Sequence, residues 1–220
     1  MATKILATLG PSSLNRKTVN KMANQGVNLF RINLSHTKLE DVNGILKKIM
    51  SWTDVPVCLD SEGAQIRNQD MISESVFFEK GSIIKIHHKT ILGDSRNISF
   101  TPSNVSKQLE IGDMIRVDFN SASFIVTKKE KEYLLAKVIE GGSVGSNKAA
   151  DTDSKIDLDP VTHKDEEAFK IGLAHGVTNF SLSFTNSAND VKEVRKIIGN
   201  DVQLISKIES IKGVLNLETI

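Results

Sequence analysis

The sequence contains few of the residues that mark specialised protein classes. Its 220 residues include one cysteine, Cys58, one tryptophan and one tyrosine. A single cysteine excludes an intramolecular disulfide framework and favours a reducing compartment. Within the segment VPVCLD (55–60), Cys58 is expected to pack as a small apolar side chain. No apolar run approaches the roughly 20 residues of a membrane span, and the N-terminal apolar stretch is too short for a secretory signal. We therefore expect a cytoplasmic protein with no membrane partner.

An excess of charge of one sign is also absent. The sequence has 28 Lys and Arg against 27 Asp and Glu, for a net charge of +1. Proteins that bind nucleic acids usually carry a clear basic excess, so no nucleic-acid partner is expected. The 39% hydrophobic and 25% charged content is typical of a globular chain with a sizeable core.

Strands and helices alternate in the first and last parts of the sequence. Short apolar runs bounded by turn residues predict strands at residues 4–10, 27–35, 55–60, 177–184 and 201–209. Apolar residues at helical spacing predict helices from Ser12 or Ser13, over residues 39–50, from a Thr162–Asp165 capping box, and from Ser187. Repeated strand–helix units imply a parallel sheet, either open or closed into a barrel.

The middle of the sequence has a different pattern of predicted secondary structure. Short β-type runs such as GSIIKIHHKT, DMIRVDF and EYLLAKVIEGG are separated by turn residues, which predicts an antiparallel meander. We place this inserted β-domain at residues 68–156, between the two halves of an α/β domain at residues 1–67 and 157–220. An insertion that follows a strand lies at the carboxyl end of that strand, and this end carries the active site in a barrel.

Polar residues stand where four of the predicted strands end. They are Arg31, Asn33 and Ser35 on the second strand, Asp60 and Ser61 on the third, Ser181 and Ser183 on the fourth, and Lys207 and Glu209 on the fifth. Alternate residues of a strand share a face, so Lys207 and Glu209 are expected to point the same way. One such strand end is usually only solvated. Four together predict a site for a phosphorylated or anionic substrate with metal ions.

These segments resemble the signature blocks of pyruvate kinases. The matching blocks, in family order and spacing, are KILATLGPSS, GVNLFRINLSH, LDSEGAQIR, SLSFTNSANDV and LISKIES, with GDMIRVDF and EGGSVGSNK matching the inserted domain of the family. The combination of RINLSH and ISKIE is far more specific than a lone glycine-rich loop. The resemblance implies an α/β fold, namely a partial (β/α)8 TIM-type barrel with an inserted small antiparallel β-barrel domain that acts as a lid.

The resemblance also implies an activity and its residues. Pyruvate kinases transfer a phosphoryl group from phosphoenolpyruvate to ADP in glycolysis, using Mg2+ or Mn2+ and usually K+. Lys207 would be catalytic, because a fixed ammonium stabilises the transferring phosphoryl group and the developing enolate. The implied binding residues are Arg31 and Ser183 for phosphoenolpyruvate, His36, Arg67 and Lys148 for ADP or ATP, Glu209 for Mg2+, and Asn33, Ser35, Asp60 and the Ser61 carbonyl for K+.

The sequence departs from the family pattern after the third strand. The family usually has Asp-Thr-Lys-Gly-Pro-Glu-Ile-Arg where this sequence has DSEGAQIR (60–67). Glu62 therefore reverses a charge, and Ala64 lacks the ring that fixes the turn. Gln65 replaces a glutamate whose charge accompanies K+ dependence in the family. We therefore expect weak or absent activation by K+.

A second departure lies at the end of the sequence, Ile220. In the family the next strand supplies Gly-Asp-Leu-Gly, whose aspartate is the second ligand of the divalent metal. Open strand edges and uncovered apolar surface are costly, so we expect a homo-oligomer or part of a longer chain. We also expect residues 1–220 alone to bind Mg2+ only at roughly millimolar levels and to form no measurable pyruvate.

Two functional hypotheses follow. The first is a phosphotransferase of the pyruvate kinase type, favoured by the polar residues retained at the strand ends. The second is a non-catalytic, pyruvate-kinase-like binding or regulatory module, favoured by the altered segment SEGAQ (61–65) and by the missing second metal ligand. An assay for pyruvate formation, with and without K+, discriminates between them.

Overall fold

The computed structural model describes residues 3–220, which form two compact units. The α/β unit comprises residues 3–64 and 159–220, and the β unit comprises residues 65–158. In chain order, the described strands are β1 (Ile5–Thr8), β2 (Val27–Asn33), β3 (Val57–Asp60), β4 (Ile66–Asn68), β5 (Val76–Phe78), β6 (Ile83–His87), β7 (Asn97–Thr101), β8 (Met114–Val117), β9 (Ala122–Lys129), β10 (Tyr133–Glu140), β11 (Gly142–Val144), β12 (Ala149–Thr152), β13 (Asn179–Leu182) and β14 (Gln203–Ser206). The described helices are α1 (Arg16–Asn24), α2 (Leu39–Trp52), α3 (Val105–Gln108), α4 (His163–Ala174), α5 (Ala188–Ile198) and α6 (Ile211–Leu215), with 3-10 turns at Leu34–His36 and Leu217–Thr219.

The α/β unit is built on an open five-stranded sheet. Its strand order is β1-β2-β3-β13-β14, and every neighbouring pair is parallel. The predicted alternation of strands and helices around a parallel sheet is therefore confirmed. Among residues 3–220 the sheet does not close on itself, because β1 and β14 each have one neighbour there. Its carboxyl ends lie along one edge, as the parallel arrangement requires.

The helices of the α/β unit begin at side-chain caps. The predicted capping box at the start of α4 is confirmed: the Thr162 hydroxyl accepts the Asp165 N–H, and the Asp165 carboxylate accepts the Thr162 N–H. Ser187 and Asp190 form the same arrangement at the start of α5. α1 begins later than predicted, because the N-cap is Asn15 and not Ser12 or Ser13.

The core of the α/β unit lies between the sheet and its helices. Its largest fully buried side chains include Phe30 on β2, Phe169 on α4 and Phe180 on β13. The Phe169 and Phe180 rings meet edge to face, with centroids 5.0 Å apart, an arrangement that favours the ring quadrupoles. This packing holds the carboxyl ends of the central strands in fixed positions. Among the described residues, no helix has the length and apolarity needed to cross a membrane.

The β unit is a closed barrel of seven strands in the order β10-β6-β7-β4-β12-β8-β9. The predicted small antiparallel β-barrel is confirmed except at one pair of strands, because β6 and β7 run parallel. Short runs of alternating residues predict a strand but not the direction of its partner, which the connecting segment decides. β5 and β11 form a separate two-stranded sheet. Phe78 and Phe124 pack edge to face in the interior.

The end of the fifth strand also differs from its prediction. β14 ends at Ser206, whereas the sequence predicted a strand that continued to residue 209. The Lys207 N–H still donates to the Leu182 carbonyl at 2.9 Å, which extends the pairing with β13 by one residue. Beyond that point the backbone turns toward α6. Lys207 and Glu209 therefore lie in a loop, and strand alternation does not set the direction of their side chains.

Candidate active site

Polar side chains from neighbouring strands meet at the carboxyl edge of the parallel sheet. In the strand register, Asn33 on β2 lies beside Asp60 on β3, and Asp60 lies beside Ser181 on β13. Lys207 follows β14 and reaches the same place. The sequence predicted that these strand ends share one rim, and the side chains of Arg31, Lys207 and Ser181 all reach Asp60.

Asp60 is the centre of this cluster. Its carboxylate is buried, with Oδ2 3.0 Å from Lys207 Nζ and 2.8 Å from Arg31 Nε. Oδ1 accepts a hydrogen bond from the Ser181 hydroxyl at 2.7 Å, and the Ser183 hydroxyl lies 3.5 Å away. The Arg31 contact is an ion pair without a well-directed Nε–H bond. The buried Asp60 carboxylate thus compensates two cations that are themselves partly exposed.

Lys207 lies between two carboxylates. Its ammonium is 3.0 Å from Asp60 Oδ2 and 3.5 Å from Glu209 Oε1. The other oxygen of Glu209 accepts the Phe184 N–H at 3.1 Å. The side chains of Arg31 and Lys207 keep 28% and 25% of their surface exposed. Both cations are therefore fixed by the protein and still accessible to an anion.

The oxygens expected to hold a monovalent cation come from adjacent strand ends. Asn33 Oδ1 accepts the Ser35 N–H at 3.0 Å, and the Ser61 carbonyl accepts the Ser183 hydroxyl at 2.6 Å. Amide, hydroxyl, carboxylate and carbonyl oxygens are the donor types that a hard cation takes. The donor chemistry therefore fits a monovalent cation, although Asp60 already faces two positive charges.

The residues expected to hold a divalent metal do not form a complete site. Among residues 3–220, no three His, Cys, Asp or Glu side chains come close enough to share a metal ion. Glu209 offers one carboxylate, which also contacts Lys207 and the Phe184 N–H. Mg2+ requires near-ideal octahedral geometry and binds weakly to one protein carboxylate. The ligand set of the described residues therefore does not fit a dedicated Mg2+ site.

The expected nucleotide residues are divided between the two units. His36 is exposed in the 3-10 turn after β2, in the α/β unit. In the β unit, Arg67 on β4 donates to the Asn147 carbonyl at 2.9 Å. Lys148 follows Asn147, and its ammonium is 3.6 Å from Asp118. Arg67 and Lys148 thus lie close in the fold of the β unit, and their role toward a nucleotide stays a prediction.

Sequence reasoning missed the residues that hold the loop after β3. The Asp165 carboxylate accepts the N–H groups of Glu62 and Gly63 at 2.7 and 3.1 Å. Lys164 donates to Glu62 and to the Leu34 carbonyl. Burial raises the pKa of Asp165, and its backbone N–H donors oppose that effect. The Thr162–Asp165 capping box was visible in the sequence. Nothing local revealed the partners more than 100 residues away.

Cys58 lies on β3 directly behind the cluster. It is fully buried, and its sulfur is 3.5 Å from the Ser181 hydroxyl. Burial raises the pKa of the Cys58 thiol to about 11, with the Asp60 charge adding to the effect. A thiol that stays protonated is a poor nucleophile. Cys58 is buried, as expected of a small side chain at this position, and its sulfur contacts the Ser181 hydroxyl.

Sequence comparisons with known proteins identify the family of this chain. The family model described as "Pyruvate kinase, barrel domain" matches residues 1–220. The chain is 28% identical to a pyruvate kinase of Bacillus licheniformis over 230 residues, 29% identical to plastidial pyruvate kinase 2 of Arabidopsis thaliana over 228 residues, and 30% identical to a pyruvate kinase of Thermotoga maritima over 229 residues. These alignments cover 99%, 99% and 100% of this chain but 39%, 39% and 49% of the relatives, so the chain spans less than half the length of each. Since the family model covers the whole sequence, this chain belongs to the pyruvate kinase family.

Proposed function

We propose that this chain carries the phosphoenolpyruvate site of a pyruvate kinase-type phosphotransferase, which forms pyruvate and ATP from phosphoenolpyruvate and ADP. One observation carries the proposal: Arg31 and Lys207 both pair with one carboxylate, that of the buried Asp60, and both remain partly exposed. Two fixed cations at the carboxyl edge of a parallel sheet suit a substrate that bears a phosphoryl group.

Lys207 is the residue we propose to act in the chemical step. Negative charge grows on the bridging oxygen as the phosphoryl group leaves and the enolate forms. An ammonium already fixed by Asp60 and Glu209 stabilises that charge without reorganisation. The Lys207 charge should therefore lower the barrier more than it strengthens substrate binding.

Arg31 is the residue we propose to bind the substrate in the ground state. Its Nε lies 2.8 Å from Asp60 Oδ2, so the ion pair holds the guanidinium at this site. A planar guanidinium binds phosphoryl oxygens well because it offers several donors in one plane. Arg31 should therefore contribute to substrate affinity whether or not turnover follows.

The cation requirement belongs to the same proposal. A monovalent cation at the oxygens of Asn33, Ser35, Asp60 and Ser61 would add positive charge beside the phosphoryl group. Gln65 replaces the family glutamate, and we expect K+ to raise turnover less than about tenfold over tetramethylammonium. No step is assigned to Mg2+, since the described residues do not complete its ligand set. ADP contacts through His36, Arg67 and Lys148 are part of the proposal.

A binding module without turnover is the second candidate. The observation that favours it is the lack of a carboxylate cluster around Glu209 among residues 3–220. Such a module would keep the phosphoenolpyruvate contacts of Arg31 and Lys207 but would not transfer the phosphoryl group. Pyruvate formation, coupled to lactate dehydrogenase, separates the two candidates.

The test measures phosphoenolpyruvate binding and turnover separately. Isothermal titration of the wild-type chain with phosphoenolpyruvate should show saturable binding. Arg31→Met should weaken this binding about tenfold or more, because it removes a charge-assisted contact. Lys207→Met should change affinity less than about threefold and should abolish any pyruvate formation, in whichever assembly is active.

The control is Lys196→Met, which removes an exposed lysine paired only with Glu193 on the surface of α5. It should change neither affinity nor turnover. Absence of phosphoenolpyruvate binding in the wild type would refute the proposed site. An unchanged kcat in Lys207→Met would refute the role of that lysine.

A further inference from the structure

Two strand-end loops of the α/β unit share one lysine. The 3-10 turn Leu34–His36 follows β2, and residues 61–64 follow β3. Lys164, in the first turn of α4, donates to the Leu34 carbonyl at 2.6 Å and to Glu62 Oε1 at 2.7 Å. One ammonium therefore joins the loop that carries Ser35 to the loop that carries Ser61.

Contacts other than that with Lys164 also restrain the loop after β3. Asp165 accepts the N–H groups of both Glu62 and Gly63. Gly63 has φ +71°, and a Cβ there would lie 2.4 Å from the Ser183 carbonyl oxygen. The backbone thus packs closely against Ser183, which follows β13, and the Ser61 carbonyl accepts the Ser183 hydroxyl. A displacement of Glu62 would be transmitted directly to Ser61.

The loop after β2 also depends on Lys164. Besides the Lys164 ammonium, the Leu34 carbonyl accepts the Thr37 N–H at a long 3.3 Å. The Asn33 side chain accepts the Ser35 N–H, which closes the turn locally. Removal of the ammonium would leave the Leu34 carbonyl with one weak bond, and the turn that carries Ser35 and His36 would loosen.

Stabilisation of α4 does not explain the position of Lys164. A lysine in the first turn of a helix opposes the helix dipole, which favours negative charge at that end. The side chains of Lys164 and Glu62 are 28% and 25% exposed, so their pair is less screened than a surface salt bridge. Glu62 also stands where the family resemblance expected a lysine, and in this chain it has a cationic partner.

We propose that Lys164 is a positioning residue that couples the two strand-end loops. Through Leu34 it places Asn33 and Ser35, and through Glu62 it places Ser61. The coupling itself is a property of the fold. Its consequence for ligand binding rests on the proposed function, because these loops carry oxygens assigned to the cation beside the substrate.

Amide hydrogen exchange, measured by NMR on the full chain without ligand, tests the coupling. The reporters are the N–H groups of Ser35 and Thr37 in one loop and of Glu62 and Gly63 in the other, all bonded within their own loops or to Asp165. Lys164→Met should accelerate exchange about tenfold in both loops, and Lys164→Arg should restore protection.

Glu62→Ala provides the decisive comparison. Among residues 3–220 no hydrogen bond joins Glu62 to the turn after β2, yet its loss frees one side of the Lys164 bridge, and exchange at Ser35 and Thr37 should accelerate. The matched control is Lys170→Met on the same helix, whose lysine pairs only with Glu166 and Glu167. Unchanged exchange at Ser35 and Thr37 in Glu62→Ala would overturn the coupling. If Lys164→Met also accelerates exchange at the Phe30 amide in the core, this variant has loosened the whole unit. In that case the result for Glu62→Ala alone decides whether the two loops are coupled.

Ligand binding separates this inference from the proposed function. If the wild type binds phosphoenolpyruvate in K+ buffer, Lys164→Met should weaken binding about tenfold, and Lys164→Arg should restore it. Equal affinity in Lys164→Met would overturn the consequence for the site. If the wild type does not bind phosphoenolpyruvate, the proposed function fails, and the exchange experiment still supports or overturns the coupling.

Discussion

Charge balance at single residues governs the proposed site. Arg31 and Lys207 carry two positive charges, and Asp60 and Glu209 carry two negative charges within the same contacts. These charges sum to zero, so the set offers no excess negative charge to a further cation. A phosphorylated anion would supply that excess next to the cation oxygens. We therefore expect monovalent-cation binding and phosphoenolpyruvate binding to strengthen one another.

The Cys58 thiol gives a prediction with a defined pH dependence. Its pKa is raised from 9.0 to about 11, so the reactive thiolate is scarce at pH 8 and increases as the pH rises toward 11. We expect iodoacetamide to modify native Cys58 at least about a hundredfold more slowly at pH 8 than in urea. Mass spectrometry over time measures both rates.

The rate for native Cys58 should also rise about tenfold per pH unit between pH 8 and pH 10, because the thiolate fraction does. Modification at the same rate in buffer and in urea would contradict the burial of this side chain. Cys58 is the sole cysteine of the sequence, so no other thiol contributes to the signal.

At the scale of elements, α4 and α5 begin with the same type of capping box, but the two caps make different contacts. Asp190 caps α5 and accepts the N–H groups of the adjacent Asn186 and Ser187. Asp165 caps α4 and also accepts two N–H groups from the loop after β3, about 100 residues earlier in the sequence. The cap of α4 therefore also holds a distant loop, whereas the cap of α5 bonds to residues next to it in the sequence.

Asp165→Ala and Asp190→Ala should accordingly lower the free energy of unfolding by different amounts. Loss of a cap costs about 1 kcal/mol, and this is the expected effect of Asp190→Ala. Asp165→Ala also leaves two partly or fully buried N–H groups unpaired, which raises the expected loss to about 3 kcal/mol. Trp52, the only tryptophan, packs against the core of the α/β unit. Its fluorescence during urea unfolding reports on that unit, and equal losses in both variants would contradict this account.

At the scale of the whole molecule, the α/β unit leaves apolar side chains uncovered. Ile5 and Leu6 lie on β1, which has one neighbouring strand. The other end of the unit exposes Ile211, Val214, Leu215 and Leu217, in α6 and the turn that follows. Neighbouring exposed apolar residues on one short helix form a patch, which is uncommon on a monomeric surface.

This patch should bind hydrophobic dyes. We expect the native chain to enhance the fluorescence of anilinonaphthalene sulfonate, and the double variant Ile211→Lys/Leu215→Lys to lose at least about half of that signal. Leu92→Lys is the matched control, since it replaces an exposed leucine in the β unit. A larger loss in Leu92→Lys than in the double variant would show that the dye binds elsewhere.

Features that depend on neighbouring residues were accessible from the sequence. The alternation of strands and helices follows from apolar spacing, and the Thr162–Asp165 capping box from two residues three positions apart. The shared rim of Arg31, Asp60 and Lys207 also followed, because parallel strands place their carboxyl ends together. These properties arise from local periodicity and from a simple rule of topology.

Other features were decided by tertiary structure. The parallel pairing of β6 with β7, the end of β14 at Ser206, and the two cations on Asp60 depend on which segments become neighbours. Lys164 is the clearest example, since its partners Leu34 and Glu62 are 130 and 102 residues away. A lysine in the first turn of a helix has no local pattern that reveals such partners. Its role comes from the folded chain, which brings two strand-end loops within reach of one ammonium group.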